Sequence, residues 1–340
     1  MKLLFASKSN FQYNRDLILL NGLKRRSDVE IETFQIKRRD WIAFRQIRKK
    51  SKEVDFVVVP SFRHKDVAFV KFASKAPLVF DPLISKYMTR VLDYGVKWKG
   101  PHKYIVDWFS YYWPNILIWD TESHGEYLQK KYRINKPMKP IYIGVDTSKF
   151  YPIHRPSYQK TIIGFYGSFN PLQGIDKIIR AAHLLKGEPS IEFRIIGNGS
   201  TYKKVKALAD ELNSGNIKFL PPVPYNELNQ AINEFDICLG VFGESIKTDV
   251  VIPNKIYHYA ATQKCIITKD TRGIKELFQH DQNIVLVPND PKHLSEAIMS
   301  LANNIERRDK IAQSAYELVS EEYNQDKIAA SFIEFLRTCS

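Results

Sequence analysis

The sequence is poor in cysteine and in long apolar runs. Its 340 residues include three cysteines, and the spacing of Cys238, Cys265 and Cys339 matches no metal-binding pattern. Two of them lie inside short apolar segments, so we expect buried thiols in a reducing cytoplasm. No apolar run approaches the roughly 20 residues that span a bilayer. The start of the chain, MKLLFASKSN, is too short an apolar segment for a signal peptide and fits a first strand.

Signatures of several nucleotide-binding and nucleic-acid-binding proteins are missing as well. The glycine-containing segments form neither a G-x-G-x-x-G motif in register nor a Walker sequence, and no recognised nucleic-acid-binding motif is present. The chain also has no long internal repeat and no low-complexity tract. Its content of 44% apolar and 26% charged residues is typical of a globular protein that buries a sizeable core.

Acidic residues are scarce in one half only. Residues 1–155 hold 30 Lys and Arg against 15 Asp and Glu, a net charge of +15, whereas residues 156–340 hold 21 against 22. A basic half indicates an anionic partner, and nucleic acid and an anionic membrane surface are the two general candidates. Because no nucleic-acid motif accompanies the charge, we expect the membrane surface and no nucleic acid.

Two stretches of the basic half combine cations with aromatic residues. Residues 35–52, QIKRRDWIAFRQIRKKSK, predict a basic helix with an aromatic and apolar side. That helix packs one stripe on a sheet, or it lies in a membrane interface, where Trp and Phe beside Lys and Arg suit the headgroup region. Residues 104–119 are rich in aromatic side chains, and we expect some of them to lie in the core and the others to form an exposed apolar surface. An acceptor-binding or membrane-facing patch is the alternative there.

Strand and helix patterns alternate along the chain, which is typical of an α/β fold with doubly wound parallel sheets. The pattern is most regular in the second half, where the predicted strands are 161–166, 191–196, 217–220, 237–239, 265–268 and 284–287. Residues 150–159 contain two prolines and no periodicity, and they predict a linker. We therefore predict domains at 1–155 and 156–320, followed by a C-terminal helix in 321–340 that crosses back to the first domain.

Three segments at predicted strand ends have the character of an anion site. Two are glycine loops, 167–174 and 197–199, each between a strand and a helix. The third is Pro253-Asn254-Lys255, where a proline opens a helix whose N-terminus carries free N–H groups, a positive dipole end and a lysine. Carboxyl ends of parallel strands meet at one edge of a sheet. The segments together predict a site for a nucleotide diphosphate, in which N–H groups and a lysine stabilise the leaving pyrophosphate.

Five segments of the second half follow one another in an order typical of one enzyme family. They are GFYGSFNPLQGIDKIIRAAHLL, FRIIGNGS, IKFLPPVPYNELNQAINEFDICL, VIPNKIYHYAATQKCIITKDTRGIKELF and NIVLVPNDPKHLSEAI. They resemble the donor half of retaining glycosyltransferases with the GT-B architecture, glycosyltransferase family 4, and the PLQG and PNK motifs resemble a variant branch. In the first half, ILIWDTESHGEYL and IYIGVDTSKFYP resemble the family's end-of-domain segment. The resemblance implies two Rossmann-like domains facing a cleft, the first binding the acceptor and the second the nucleotide-sugar.

The resemblance implies charged donor-binding residues that this sequence only partly supplies. Ser168 and Gln173 stand where the family has an Arg and a Lys on the donor diphosphate. We expect Lys255, together with Lys247, to supply the missing positive charge.

The family's paired glutamates and its base-binding segment carry over unevenly. The two glutamates usually stand seven residues apart; His258 replaces the second, and Glu244 serves as the first only with an insertion in the loop. Val223 and Pro224 match the segment whose backbone contacts the base, or they form an ordinary turn.

Two candidate residues lie in the first half. Asp81 follows the apolar segment 76–80, where it binds a ligand near the transferred sugar or caps the next helix. His124 matches a helix-start position that faces the cleft, or it is structural. The remaining predicted donor-binding residues are Gly167, Phe169, Gly174, Gly197, Asn198, Phe242, Gly243, Pro253 and Asn254.

The predicted function is transfer of a sugar from a nucleotide-sugar donor to an acceptor with retention of configuration. The resemblance implies front-face departure assisted by the leaving phosphate, with no protein nucleophile, no cofactor and no required metal. We expect a glycan-lipid or polysaccharide acceptor, and a cytoplasmic enzyme held at the inner face of the cell membrane by its basic half. The alternatives are a catalytically inactive scaffold, suggested by the missing charges, a nucleotide-sugar epimerase on the same fold, and a nucleic-acid binder suggested by charge alone.

Overall fold

The described part of the chain forms two compact units. The structure is a computed structural model that describes residues 1–154 and 160–339. The first unit contains Met1–Gly144 and the C-terminal helix Gln325–Thr338, and the second unit contains Val145–Asn324. Each unit is built around one parallel sheet of six strands.

The division between the units lies earlier than the predicted linker. The units meet in sequence at Gly144 and Val145, and Phe150, where the predicted linker begins, is a buried residue of the second unit. The end of the predicted linker and the boundary predicted at residue 155 fall on 155–159, outside the described residues.

The sheet of the first unit has its most apolar strands in the middle. Its strands are β1 (Lys2–Ser7), β2 (Glu30–Gln35), β3 (Phe56–Val59), β4 (Leu78–Phe80), β5 (Ile116–Trp119) and β6 (Met138–Pro140). They lie in the order β2-β1-β3-β4-β5-β6. Strands β3, β4 and β5 are buried along their whole length, because helices cover both faces of a parallel sheet.

Six α-helices belong to the first unit among the residues that the structure describes, besides a π-helix (Met88–Asp93) and a 3-10 helix (Lys97–Lys99). The α-helices are α1 (Asn14–Lys24), α2 (Trp41–Lys50), α3 (His64–Ala73), α4 (Gly100–Tyr112), α5 (Glu122–Tyr132) and α14 (Gln325–Thr338). Asp40 caps α2 by accepting a hydrogen bond from the Ala43 N–H at 2.9 Å, and Thr121 caps α5 in the same way.

Helix α14 packs against α1 at very close range. A Cβ at Gly22 of α1 would lie 1.9 Å from the Gln325 carbonyl oxygen and 2.8 Å from the Cβ of Ala329. Only glycine allows this approach. The last helix of the chain is therefore part of the core of the first unit.

The second unit repeats the same architecture. Its strands are β7 (Thr161–Tyr166), β8 (Ile191–Ile196), β9 (Ile217–Leu220), β10 (Ile237–Leu239), β11 (Cys265–Lys269) and β12 (Val285–Val287). They lie in the order β12-β11-β10-β7-β8-β9. The sheet order reverses direction at β7, so the loops after β7 and β10 lie side by side at the carboxyl edge. Ligands bind at this place in doubly wound sheets.

Eight helices accompany this sheet. They are α6 (Ile175–Leu184), α7 (Tyr202–Glu211), α8 (Leu228–Asn233), α9 (Ile246–Val250), α10 (Asn254–Ala261), α11 (Arg272–Lys275), α12 (Pro291–Ala302) and α13 (Ile305–Glu322). Helix α6 buries Ile175, Ile178, Ile179 and Ala182, and this i, i+3, i+4, i+7 spacing places them on one face. Helix α10 is buried over most of its surface.

The two parallel sheets confirm the predicted α/β, doubly wound architecture. The sequence of residues 140–146 predicts a last strand and turn, and this strand is wrong, since β6 ends at Pro140. Ile141, Ile143 and Val145 are buried at every second position, as in a strand, but Gly144 and Asp146 are buried as well, and Gly144 has a φ of +70°. Cys238 and Cys265 are buried free thiols. Within 1–154 and 160–339, no helix has the length and hydropathy needed to cross a bilayer.

Candidate functional site

The glycine loop after β7 is anchored to the next strand. The Gly167 N–H donates to the Ile196 carbonyl at 3.0 Å, and the ring of Phe169 is fully buried. Phe169 therefore holds the loop in the core. Ser168, between these two residues, is exposed to solvent.

The loop after β8 packs directly on the first loop. A Cβ at Gly197 would lie 2.0 Å from the Gly167 carbonyl oxygen, and one at Gly199 would lie 2.4 Å from that of Phe169. The Phe169 N–H donates to the Asn198 carbonyl at 2.9 Å, which closes the contact. Gly197 and Gly199 therefore serve close packing of two backbones. The Asn198 side chain is exposed and accepts from the Gly199 N–H at 2.7 Å.

The loop after β10 joins the same assembly. The N–H groups of Phe242 and Gly243 donate to the carbonyl groups of Gln173 and Leu172 at 3.0 and 3.1 Å. Gly174 has a φ of +60°, and a Cβ there would lie 2.2 Å from the Phe242 carbonyl carbon. The three loops thus form one hydrogen-bonded floor at the start of α6.

Lys255 is buried beside this floor, in the first turn of α10. Pro253 precedes the helix in an extended conformation, and Asn254 is its first residue. The Lys255 Nζ donates to the Gln173 Oε1 at 2.6 Å and lies 3.5 Å from the centre of the Phe165 ring. A Cβ at Gly167 would come within 3.1 Å of the same nitrogen.

The surroundings of Lys255 leave its charge poorly compensated. The side chain is 4% exposed, and burial holds the pKa of its ammonium well below the ordinary value. Its hydrogen-bond partner is a neutral amide, and no described carboxylate forms an ion pair with it. An anion bound beside it would supply the missing countercharge.

His258 lies one turn along α10 and is packed among aromatic rings. Its ring stacks on Phe150 with centroids 3.8 Å apart and planes 7° apart, and its Nδ1 is 2.5 Å from the Tyr166 hydroxyl. Burial lowers the pKa of His258 to about 3, so the ring is neutral near pH 7. Where the resemblance has a carboxylate, this chain has a buried, uncharged aromatic residue.

Glu244 and Lys247 lie beyond the floor. The Glu244 side chain is 73% exposed and pairs with the Lys177 Nζ at 3.0 Å, which lowers the pKa of the carboxyl. Lys247 is half-buried on α9. Val223 and Pro224 lie in the largely exposed loop after β9, the edge strand of the sheet.

Two lysines near these loops escaped the sequence-based prediction. Lys177 lies on α6 and binds Glu244, while the Lys269 Nζ donates to the Gly243 carbonyl at 3.1 Å. Lys269 ends β11, and its position at the carboxyl end of a central strand was the signal that could have identified it.

In the first unit, Asp81 is fixed by a buried arginine. The Arg15 Nε donates to the Asp81 Oδ2 at 2.5 Å, and the Arg15 Nη1 donates to the Ile141 carbonyl at 2.7 Å. The other carboxylate oxygen of Asp81 accepts from the Leu83 N–H at 3.1 Å. Burial raises the pKa of Asp81, and the arginine opposes the shift.

His124 and Asp16 flank the same edge of the first sheet. The His124 Nδ1 lies 2.6 Å from the Asp120 Oδ1, and its buried Nε2 has no hydrogen-bond partner among the described residues. Asp16, which the sequence did not single out, accepts from the Ser61 N–H at 3.1 Å. Burial, assisted by the nearby Asp81, raises the pKa of Asp16 to about 7. This unit therefore carries buried acids and a histidine at its carboxyl edge.

No group of three or more His, Cys, Asp and Glu in the described ranges is placed to hold a metal ion. The chemistry available in the second unit is anion binding by one buried lysine, backbone N–H groups and two helix starts.

A family model for glycosyl transferases group 1 matches residues 148–318, half of the chain. The probable glycosyltransferase WbjE of Pseudomonas aeruginosa is 26% identical over 187 residues, 49% of this chain and 45% of that protein. The putative colanic acid biosynthesis glycosyl transferase WcaI of Escherichia coli K12 is 30% identical over 102 residues, 30% of this chain and 25% of that protein. The matches thus span less than half the length of these curated relatives.

Two solved structures cover the whole fold. HepE of Anabaena in complex with UDP has a TM-score of 0.76 at 16% identity, covering 99% of this chain and 100% of its own. Sucrose-phosphate synthase of Thermosynechococcus elongatus has a TM-score of 0.75 at 12% identity, covering 100% and 99%. At such identities the likeness shows the fold alone, and that fold is GT-B.

Proposed function

Since the chain belongs to the glycosyl transferases group 1 family, we propose that it transfers a sugar from a nucleotide-sugar donor with retention of configuration. It would do so as a member of the family 4 branch with PLQG and PNK motifs. The observation that supports this most is Lys255, a buried lysine beside Gly167 whose Nζ contacts a neutral amide and the face of the Phe165 ring but no described carboxylate. An anionic ligand would complete that environment.

The donor diphosphate would bind over the floor made by the three loops. The N-termini of α6 and α10 open there, and helix N-termini favour phosphate groups through their free N–H groups and dipole. Lys255 would turn from Gln173 to a phosphate oxygen, which exchanges a neutral acceptor for a charged one. The phosphate oxygen would add a Coulomb attraction between opposite charges that the amide oxygen does not provide.

Departure of the nucleoside diphosphate is the step that Lys255 would assist. Negative charge grows on the leaving phosphate as the glycosidic bond breaks, and a pre-placed ammonium in a buried site stabilises it. We propose a front-face reaction in which the leaving phosphate accepts the acceptor's proton. Glu244, 73% exposed and paired with Lys177, would bind the sugar only after leaving that lysine.

The variant residues would change how the donor is held, without removing the site. His258 is neutral and stacked on Phe150, so it cannot replace a carboxylate in binding ribose hydroxyls. Gln173 supplies an uncharged contact that fixes Lys255. The donor-binding charge would thus rest on Lys255, with Lys247 on α9 as the further cation.

For the acceptor we propose a glycan lipid or polysaccharide at the inner face of the cell membrane. The net charge of +15 on residues 1–155 supports an anionic membrane partner. The name of WcaI refers to colanic acid biosynthesis, which supports a polysaccharide product. No cofactor or metal is part of the proposed reaction.

A donor panel tests this function. UDP-, GDP-, ADP- and TDP-sugars are added to the full chain, and thermal unfolding and sugar release are measured; UDP-sugars come first because HepE was crystallised with UDP. A donor at 100 times its Kd should stabilise the fold by about 2.7 kcal/mol, and the released or transferred sugar should keep its anomeric configuration by NMR. If no nucleotide-sugar shifts the unfolding transition and none is turned over, the protein is a catalytically inactive scaffold. An isomerised sugar without transfer would instead identify an epimerase.

A further inference from the structure

Exposed aromatic and apolar side chains form a band across three helices of the first unit. We define the aromatic band by its exposed members: Trp41, Ile42, Phe72, Trp108, Phe109 and Tyr112. They belong to α2, α3 and α4. Such side chains are normally scattered on a protein surface, and a contiguous group marks an interaction site.

The first part of the band connects α2 to α3. Trp41 stacks on Phe44 with ring centres 5.1 Å apart, and Phe44 meets Phe69 of α3 edge-on at 6.1 Å. Phe72 follows Phe69 by three residues on the same helix, so the two rings lie on one side of α3. Trp41 and Ile42 are 67% and 68% exposed, and Phe72 is 55% exposed.

The second part connects α3 to α4. Phe72 contacts Trp113, the residue that follows α4, at 4.9 Å between ring centres. Trp113 contacts Tyr112 at 5.4 Å, and Tyr112 stacks on Trp108 at 5.1 Å. Tyr112 is 58% exposed and Phe109 is 47% exposed. Ring contacts thus link all three helices at the surface.

Acidic side chains are withdrawn from these helices. The acidic residues of α2, α3 and α4 are Asp66 and Asp107, and both side chains are fully buried. Asp66 is paired with Arg39 and Arg63, and Asp107 accepts from the Ser85 hydroxyl at 2.6 Å. Neither carboxylate therefore contributes exposed negative charge beside the band.

Cations lie beside the aromatic residues. Trp41, Arg45 and Lys49 follow one another at four-residue spacing on α2, which places them on one stripe, and all three are exposed. Lys65 is exposed near the start of α3. The band is therefore both apolar and positively charged.

We propose that the aromatic band docks on a bilayer of anionic phospholipid. Trp, Tyr and Phe suit the headgroup region, and Lys and Arg are attracted to anionic lipids. A second copy of the chain would fit this surface poorly, since its own cations would face Arg45 and Lys49. The inference extends the acceptor side of the proposed function, because it would place the first unit on the membrane that carries the acceptor.

An open, mostly apolar depression lies one to two turns before Trp108 on α4. It has a volume of about 740 Å³ at the start of α4, and Leu92, Pro101 and Ile105 are among its lining residues. Ile105 is 51% exposed on α4.

Vesicle flotation tests the proposal in the absence of donor and acceptor, so a failure of donor turnover would not affect the result. The full chain is mixed with vesicles of phosphatidylcholine alone or with vesicles that also contain phosphatidylglycerol, whose anionic headgroups attract Lys and Arg. We expect binding to the anionic vesicles only, weakening as salt rises. Binding to neither vesicle, or equally to both, would overturn the proposal.

Two variants and their controls locate the binding surface. Arg45→Gln with Lys49→Gln should lower binding about tenfold or more, since each cation contributes about a fivefold effect at an anionic surface. Trp41→Ser with Ile42→Ser should also lower binding about tenfold or more, since it removes two apolar side chains that would be buried in the headgroup region. Matched controls lie in the second unit: Leu184→Ser with Ile305→Ser, 55% and 58% exposed, and Lys203→Gln with Lys204→Gln, both exposed. Control variants that lose binding equally would contradict the assignment.

A third measurement distinguishes docking on lipid from self-association or RNA binding. All five tryptophans lie in the first unit, and brominated lipid quenches tryptophan that enters the headgroup region. We expect quenching that falls in the Trp41→Ser variant. If light scattering shows a dimer that the same variant dissociates, the band binds a second copy of the chain. If the protein retains RNA and lipid does not quench its fluorescence, the band binds RNA. Either result would contradict docking on lipid.

Discussion

Lys255 is the buried lysine of the candidate donor site. Lys255→Met keeps the apolar stem and removes the charge, so the fold should persist while turnover of the nucleotide-sugar falls about 10²–10³-fold, the usual effect of losing one preorganised charge donor. Steady-state kinetics with the donor found in the panel measures this. The exposed Lys206, paired with Asp210, gives the control Lys206→Met. Full activity of Lys255→Met would end the proposed role.

Asp16 makes the stability of the first unit depend on pH. Its pKa is raised from 3.8 to about 7, so the folded form keeps a proton that the unfolded form has lost between these values. Its stabilising contribution is therefore full below about pH 4 and is lost as pH rises through 7. Asp16→Asn keeps an acceptor for the Ser61 N–H but cannot titrate. Between pH 5 and 8, the unfolding free energy of the variant should therefore decrease by about 2 kcal/mol less than that of the wild type.

Tryptophan fluorescence during urea unfolding measures this difference, because all five tryptophans lie in the first unit. Asp210→Asn, at an exposed position of the second unit, should leave the profile unchanged. Parallel profiles for the wild type and Asp16→Asn would show that Asp16 does not titrate in this range.

At the scale of loops and helices, Gly174 connects the floor of the site to α6. Gly174→Ala would place a Cβ 2.2 Å from the Phe242 carbonyl carbon, at a φ of +60°. We expect a loss of about 2 kcal/mol or more from the unfolding free energy of the second unit, since strain and overlap add. Circular dichroism during thermal unfolding measures it. Gly215→Ala, where no atom lies within 4 Å, is the matched control; equal losses in both would exclude the close contact as the cause.

The elements of the second unit could largely be predicted from sequence, whereas α3 and α4 could not. β8 is a β-branched and aromatic segment that ends at Gly197, β10 is a short apolar run between Asp236 and Gly240, and the predicted bounds of both agree with the structure. Helix α4 exposes Trp108 and Phe109 and buries Asp107, so its apolar residues do not follow one buried face. Hydrophobic periodicity does not predict a helix when some of its apolar residues are exposed and do not pack in the core.

The site itself was only partly readable in the sequence. The glycine pattern predicted a phosphate cradle, but Gly197 and Gly199 are required by contact between two loop backbones. The hydrogen bond between Lys255 and Gln173 joins residues 82 positions apart, and no local pattern predicts such a pair. The assigned roles in donor binding stay predictions.

At the scale of the whole molecule, α14 makes the first unit depend on the end of the chain. Deleting residues 325–340 removes Ile328, Phe332 and Leu336 from the core of the first unit. We expect the unfolding free energy measured by tryptophan fluorescence to decrease by several kcal/mol, or the transition to disappear, because each large apolar side chain contributes about 1.5–3 kcal/mol when buried. Hydrogen exchange should show β7–β12 still protected. Loss of protection in both units together would mean that their stabilities are coupled.

The return of α14 to the first unit also sets an order during synthesis. A ribosome releases β1–β6 first, yet Gly22 has no partner until Gln325 and Ala329 have emerged. The second unit, Val145–Asn324, is complete before that moment. The half that is translated first therefore finishes folding last. A nascent chain should acquire a protease-resistant second unit while its first unit is still open to cleavage.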